Sequence, residues 1–82
     1  MPSAFILLNT EIGAASEVVE ALKKLEGVEA AFNLWGIYDV IANVKAHSMD
    51  ELSSIINTQI EKIGKVHSKI TMLISEARHQ LT

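Results

Sequence analysis

The sequence predicts a single small α+β domain made of two sequential βαβ units. Its 82 residues are 49% hydrophobic and 21% charged, which provides enough apolar surface for a folded core. Two segments place apolar residues at helical spacing, and four others show the continuous or alternating apolar pattern of strands. Moving Val18 onto Ile56, a shift of 38 residues, superimposes the apolar positions of the two halves. The match is in apolar character, so it indicates a structural repeat.

The first half opens with a strand and a helix. Residues 4–10 begin with a continuous apolar run, which is typical of a strand covered on both faces. Ser16 is the predicted N-cap of the first helix, and Glu17 suits its first turn. Gly27 is expected to end this helix. The apolar stripe of the helix consists of Val18, Val19, Leu22 and Leu25.

Two further strands follow and are expected to form a hairpin. Residues 28–35 alternate, so they predict a strand with one apolar face. A tight connection over residues 36–39 leads to a third strand over residues 40–46. The apolar face of the second strand comprises Val28, Ala30, Phe32 and Leu34.

The second half closes with another helix and strand. Ser48 or Asp50 begins the helix, and a capping box would pair Ser48 with Glu51. Gly64 ends the helix, and residues 66–74 alternate as a last strand. Residues 76–82 carry little pattern and are interpreted as a frayed helical end. The apolar stripe of this helix consists of Leu52, Ile55, Ile56, Ile60 and Ile63.

The predicted order, β-α-β-β-α-β, is that of the ferredoxin-like fold. Two right-handed crossovers interleave into a four-stranded antiparallel sheet with both helices on one face. Residues 4–8 are apolar at successive positions, so large side chains point to both faces of the sheet. A contiguous apolar patch of this kind is rare on monomers. We therefore predict a two-fold homodimer that associates through the sheet, as in dimeric α+β barrels.

Composition excludes several functional classes. The net charge is −3 and the lysines and arginines are scattered, so direct nucleic-acid binding is not expected. Without cysteine there is no disulfide and no thiol nucleophile. No segment has the pattern of a signal peptide or the length of a membrane span. We expect a cytoplasmic protein without membrane contact.

No catalytic, metal or cofactor site is predicted. His47, His67 and His79 match no compact metal-ligand spacing and are interpreted as surface residues. The chain has no Gly-x-Ser-x-Gly elbow and no glycine-rich phosphate loop. The most unusual segment is the turn at residues 35–39, which contains the only Trp and the only Tyr beside Gly36 and Asp39. It is either a ligand cradle or a structural turn whose aromatic residues cover a sheet edge.

This turn and its surroundings resemble the ligand-binding (RAM) domain of the Lrp/AsnC transcription regulators. The resemblance rests on residues 28–33, the Gly-x-Tyr-Asp turn, the apolar strand that follows, the Asp-Glu-Leu start of the second helix and the closing strand. It implies dimers that assemble into rings, commonly octamers, with amino acids or related molecules bound between dimers. It also implies that the chain, residues 1–82, is one stand-alone domain without a helix-turn-helix. The implied ligand-binding residues are Gly36, Ile37, Tyr38, Asp39 and Thr71.

In the family's frequent Thr-x-Thr pattern the first threonine is replaced here by Lys69, which can change or weaken effector binding. The leading hypothesis is a regulatory module that binds an amino acid or similar metabolite and acts by ligand-linked assembly, alone or with full-length Lrp/AsnC regulators. The alternative is a small cofactor-free monooxygenase or isomerase of the dimeric α+β barrel type, with its pocket between helices and sheet. A third hypothesis is an ACT-like sensor that binds its ligand near Gly13.

Overall fold

The fold follows the predicted βαββαβ order. A computed structural model describes residues 1–74. The strands form one four-stranded sheet of order β2-β3-β1-β4 in which all neighbours are antiparallel. None of the helices in these residues is long and apolar enough to cross a membrane. The elements are β1 (Ser3–Thr10), α1 (Ala15–Lys23), β2 (Val28–Asn33), β3 (Val40–Lys45), α2 (Met49–Ser54) and β4 (Val66–Ile74).

The first helix begins one residue before the predicted cap. Ala14 occupies the N-cap position of α1 and makes no side-chain capping bond. The Ala14 N–H donates to the Glu11 carbonyl at 3.0 Å, so a backbone turn sets the start of the helix. Ser16 lies in the first turn instead, and its Oγ accepts from Asn33 Nδ2 at 3.3 Å. The prediction of Ser16 as N-cap was therefore wrong.

The second helix starts as predicted and then widens. The Ser48 Oγ accepts from the Glu51 N–H at 3.1 Å, and the Glu51 carboxylate accepts from the His47 N–H at 2.6 Å. After α2 the chain continues as a π-helix, Ile55–Gln59, and a 3₁₀ turn, Ile60–Lys62. Such wide turns are rare and occur mostly as single turns within helices.

A side chain from β4, Lys69, contacts this widened segment. Its Nζ donates to the Ile56 carbonyl at 2.9 Å and pairs with the Glu61 carboxylate. The Lys69 side chain is only 15% exposed. A carbonyl inside the widened helix thus accepts a hydrogen bond from a side chain of β4.

The core fills the layer between the helices and one face of the sheet. Alternate residues of β1 and β3 point into this layer, where they meet the apolar stripes of both helices. Among the residues described, no charged residue is fully buried in this layer, and Lys69 reaches into its edge from β4. The largest side chains that are fully buried are Ile6, Leu8, Leu22, Leu52, Ile60, Val18, Val40 and Val44.

The second strand is shorter than predicted, and its side chains do not alternate regularly between the two faces of the sheet. It ends at Asn33, because the Leu34 N–H donates to the Asp39 carbonyl at 2.8 Å and closes a turn. An irregularity between Val28 and Ala30 shifts the pairing with β3. Ala31 therefore faces the core, while Phe32 points to the other side of the sheet. Of the apolar face predicted for this strand, Ala30 and Phe32 lie away from the helices, whereas Val28 packs against the core.

A surface ion pair joins the loop before β4 to α1. Lys65 Nζ lies 2.9 Å from a Glu17 carboxylate oxygen. This hydrogen bond and the charge of Glu17 raise the pKa of Lys65 above its ordinary value of 10.5. Both side chains are about half exposed or more, so the pair contributes little to stability.

Candidate functional site

The sheet face opposite the helices, here called the outer face, is largely apolar. Cross-strand pairing aligns its side chains in rows, because residues opposite each other point to the same side. In the part of the chain described, Asn43 is the only polar residue of the two central rows. One row contains Ile70, Leu7, Ile41 and Phe32, and the next contains Met72, Phe5, Asn43 and Ala30.

Large side chains on the outer face are open to solvent in the single chain. Phe32 is 62% exposed, Ile70 and Met72 are each 43% exposed, and Phe5 is 37% exposed. The predicted second apolar face is thereby confirmed. Its cause is also as predicted: β1 has consecutive apolar residues, so one strand supplies both the core and the outer face.

The turn between β2 and β3 is tied to the end of β1 by Asp39. The Asp39 N–H donates to the Leu8 carbonyl at 2.9 Å, and Asp39 Oδ2 accepts from the Thr10 N–H at 2.8 Å. Because the neighbouring strand depends on these bonds, Asp39 has a structural role besides any role in binding.

The rest of the turn projects apolar groups into solvent. Gly36 has φ +137°, a backbone conformation that favours glycine. Trp35 is fully exposed and Ile37 is 86% exposed, whereas Tyr38 is partly buried. The interpretation of the Trp as a cover for a sheet edge was wrong, because Trp35 covers nothing in the single chain. Large apolar side chains presented in this way are typical of contact surfaces.

Thr71 does not join the turn within one chain. It lies on β4 opposite Ile6, near the middle of the strand. Strand β1 separates β4 from β3, so Thr71 is two strand spacings, roughly 10 Å, from β3, the strand that follows Asp39. The five residues of the predicted site therefore form two separate groups on one subunit.

A cleft that sequence reasoning missed lies at the other end of the sheet. Its volume is about 480 Å³, and the loop after α1, the end of β3 and the start of α2 line it. Lys45 and Glu29, 3.8 Å apart, form an ion pair on its wall, near His47 and Glu51. No sequence motif marks this cleft, because its lining comes from separate segments. Among residues 1–74 no three His, Cys, Asp or Glu side chains are grouped as a metal site, and His79 lies outside the described residues.

The comparisons with known proteins agree with the fold. A sequence model of the Lrp/AsnC ligand binding domain matches residues 3–80. The HTH-type transcriptional regulator FL11 of Pyrococcus furiosus is 25% identical over 80 residues, which are 95% of this chain and 53% of FL11. The chain thus spans about half the length of the curated relative it matches.

Solved structures of similar proteins have the same fold as this chain. The hypothetical protein PHS023 of Pyrococcus horikoshii is 32% identical, with a TM-score of 0.87 over 96% of this chain and 95% of its own. The transcriptional regulator NMB0573 of Neisseria meningitidis, solved as a complex with L-Met, has a TM-score of 0.76 over 95% of this chain and 53% of its own. At 20% identity, that likeness concerns the fold alone.

The topology and the one-sided helical layer define the class: an α+β domain of the ferredoxin-like fold. Since the family match covers nearly the whole chain, this chain belongs to the Lrp/AsnC ligand-binding domain family. Family membership and a regulator among the relatives support a regulatory small-molecule-binding module rather than an enzyme. The absence of a helix-turn-helix, and the ligand-binding residues named above, stay predictions.

Proposed function

We propose that this chain is a regulatory module that dimerises through its outer face and binds an amino acid or related metabolite between dimers. The ligand shifts the assembly of the chain, alone or together with full-length Lrp/AsnC regulators. The observation that carries the proposal is the apolar outer face, with Phe32 62% exposed at one corner. Each buried Å² of such surface contributes roughly 25 cal/mol to association.

The site between copies is supported by the placement of the predicted residues. The Gly36–Asp39 turn and Thr71 lie on different parts of one subunit, which is compatible with a ligand held where the turn of one copy meets Thr71 of another. A ligand at such a junction favours the assembled state by its differential affinity. The apolar exposed side chains of Trp35 and Ile37 suit a contact between dimers.

An amino-acid ligand is supported by chemistry and by one relative. Backbone amides of an exposed turn, a carboxylate at Asp39 and the hydroxyl of Thr71 together suit the charged groups of a zwitterion. NMB0573, which shares the fold, was solved with L-Met. In this chain Lys69 is held by Ile56 and Glu61, so its ammonium group fastens the helix to β4 and is not a free substitute for a ligand-binding hydroxyl.

The proposal is tested by light scattering after size exclusion, with and without each of the twenty amino acids. We expect a dimer or a multiple of it, and a larger species or a raised melting temperature with at least one ligand. Trp35 gives an independent signal, because the only Trp of the chain lies in the turn. A monomer at micromolar concentration contradicts the dimer; an assembly indifferent to all ligands contradicts the sensing role.

The enzyme alternative is less well supported. Its pocket would lie between helices and sheet, where aliphatic side chains such as Ile6, Leu22 and Ile60 are fully buried and pack together. The ACT-like alternative places the ligand near Gly13, which has open space around it. Comparing ligand-induced melting shifts of Asp39→Asn and Gly13→Ala variants separates that alternative from the proposed site.

A further inference from the structure

The cleft beside Lys45 is a concave site with an apolar floor. Its volume of about 480 Å³ lies within the range of small-molecule pockets, roughly 300–1,000 Å³. Three of its lining residues pack against the core: Ala46 and Ile55 are buried, and Leu25 is partly buried. The cleft belongs to a single subunit, so it is separate from the ligand site proposed between dimers.

The walls of the cleft are fixed by contacts within the subunit. The Gly27 carbonyl accepts from the Lys45 N–H at 2.8 Å, and Gly27 has φ +97°. A Cβ atom at Gly27 would lie 2.5 Å from Ile55 Cδ1 and 3.1 Å from the Lys45 carbonyl oxygen, so glycine is favoured at this position. On another wall, the Glu51 carboxylate accepts from the His47 N–H. A site formed in advance loses little conformational entropy when it binds a ligand.

Carboxylates outnumber cationic side chains around the cleft among the residues described. Glu26 and Glu29 come from the connection after α1 and the start of β2, and Glu51 comes from α2. They are opposed by Lys45, whose Nζ lies 3.8 Å from Glu29. The Glu26 carboxylate has no hydrogen bond or ion pair within residues 1–74. Because a cleft with low-dielectric walls concentrates the field of its charges, this cleft attracts cations.

We propose that the cleft binds an aliphatic amine, with an ammonium group at the Glu26 and Glu29 carboxylates and the alkyl chain on the apolar floor. A second ammonium group on the same chain would pair with Glu51 on the other wall. Carboxylates on a convex surface are usually only solvated. These carboxylates surround an apolar cavity instead, and a hydrocarbon chain with a charged end matches both parts of it.

The first test follows backbone amide signals by NMR while cadaverine, an alkyl chain with an ammonium group at each end, is added. Pentanediol, which has the same length without charge, is the control ligand. The amides of Gly27 and Lys45 should shift with one dissociation constant, and the amide of Gly36 in the distant turn should not. No shift at millimolar cadaverine, a shift of Gly36 alone, or equal binding of the diol overturns the proposal.

The second test compares Glu26→Gln with Glu20→Gln. Each substitution removes one negative charge, but Glu20 pairs with Lys23 at 3.7 Å and does not line the cleft. E26Q should raise the dissociation constant for cadaverine at least about fivefold, and E20Q should leave it within about twofold of wild type. Equal weakening by both variants would show that only the net charge attracts the amine, and the site would be refuted.

The third test blocks the cleft without changing its charge. Ser53 and Ser54 are both exposed on α2, but only Ser54 lines the cleft. Ser54→Phe should abolish cadaverine binding and Ser53→Phe should preserve it; a folded S54F that binds as wild type does contradicts the proposal. A monomeric wild type that binds cadaverine would contradict the dimer under the proposed function and would support this site, so the two ideas fail separately.

Discussion

Replacing Phe32 by alanine tests the outer face most directly, because the side chain is large and exposed in the single chain. An aromatic side chain of about 200 Å², at 62% exposure, offers roughly 125 Å² for burial by a second copy, or about 3 kcal/mol at 25 cal/mol per Å². In a symmetric dimer both subunits carry the substitution, so the lost free energy of association is doubled. Allowing for half of that burial at the corner of the face, we expect a loss of about 3 kcal/mol per dimer, a factor above 100 in the dissociation constant.

The assay is sedimentation equilibrium of F32A beside Trp35→Ala. Trp35 is a larger aromatic residue and fully exposed, but it lies in the turn rather than on the outer face. Loss of Phe32 removes little packing within the subunit, so the far-ultraviolet circular dichroism spectrum of F32A should stay that of the wild type. An F32A dimer as tight as wild type, or dissociation of the Trp35→Ala dimer alone, refutes the argument from the outer face.

Substitutions at three further positions test single contacts. Asp39→Ala removes the acceptor for the Thr10 N–H and should destabilise the fold by about 1.5–3 kcal/mol in urea, whereas Asp39→Asn keeps an acceptor and should lose ligand response without that loss. Lys69→Met leaves a helical carbonyl without its donor and should cost about 1–2 kcal/mol, measured in the same way. The raised pKa of Lys65 means that its pairing with Glu17 stabilises the fold fully below the ordinary pKa of 10.5 and is lost as the pH rises through the folded-state value. The melting-temperature difference between wild type and Glu17→Gln should therefore be constant near neutrality and shrink in strong alkali.

The element order was predictable because it depends on local spacing. Helical and alternating apolar patterns need only neighbouring residues, and the second helix starts at the predicted cap, Ser48. The apolar outer face was predictable for the same reason. Successive apolar residues in a strand must point to opposite sides, so Phe5 and Ile6 could not both enter one core.

Features that depend on distant contacts were not predictable. The widened helix is held by Lys69, 13 residues along the chain from the Ile56 carbonyl that it caps. The first helix starts through a backbone turn at Glu11, and no side-chain pattern records such a turn. The shift between Val28 and Ala30 reverses the faces of β2, although the alternation itself looks regular.

The candidate site was predictable only in part. The glycine and aromatic residues of the turn are visible in the sequence as a local cluster. Thr71 was assigned to the site only through the family resemblance. The separation of Thr71 from the turn follows from the strand order, because β1 is inserted between β3 and β4. The cleft beside Lys45 is lined by segments that are distant in sequence, so no local motif indicates it.

The central position of β1 has a consequence for the exchange of its amide hydrogens. β1 is bonded to β3 on one side and β4 on the other, so exchange of its paired amides requires the sheet itself to open. If dimers also cover β1 from the outer face, that opening must be preceded by separation of the subunits. Deuterium uptake in this strand should then slow across the monomer–dimer transition, whereas residues 35–37 of the turn, which lie outside the outer face, should exchange at one rate through the same transition.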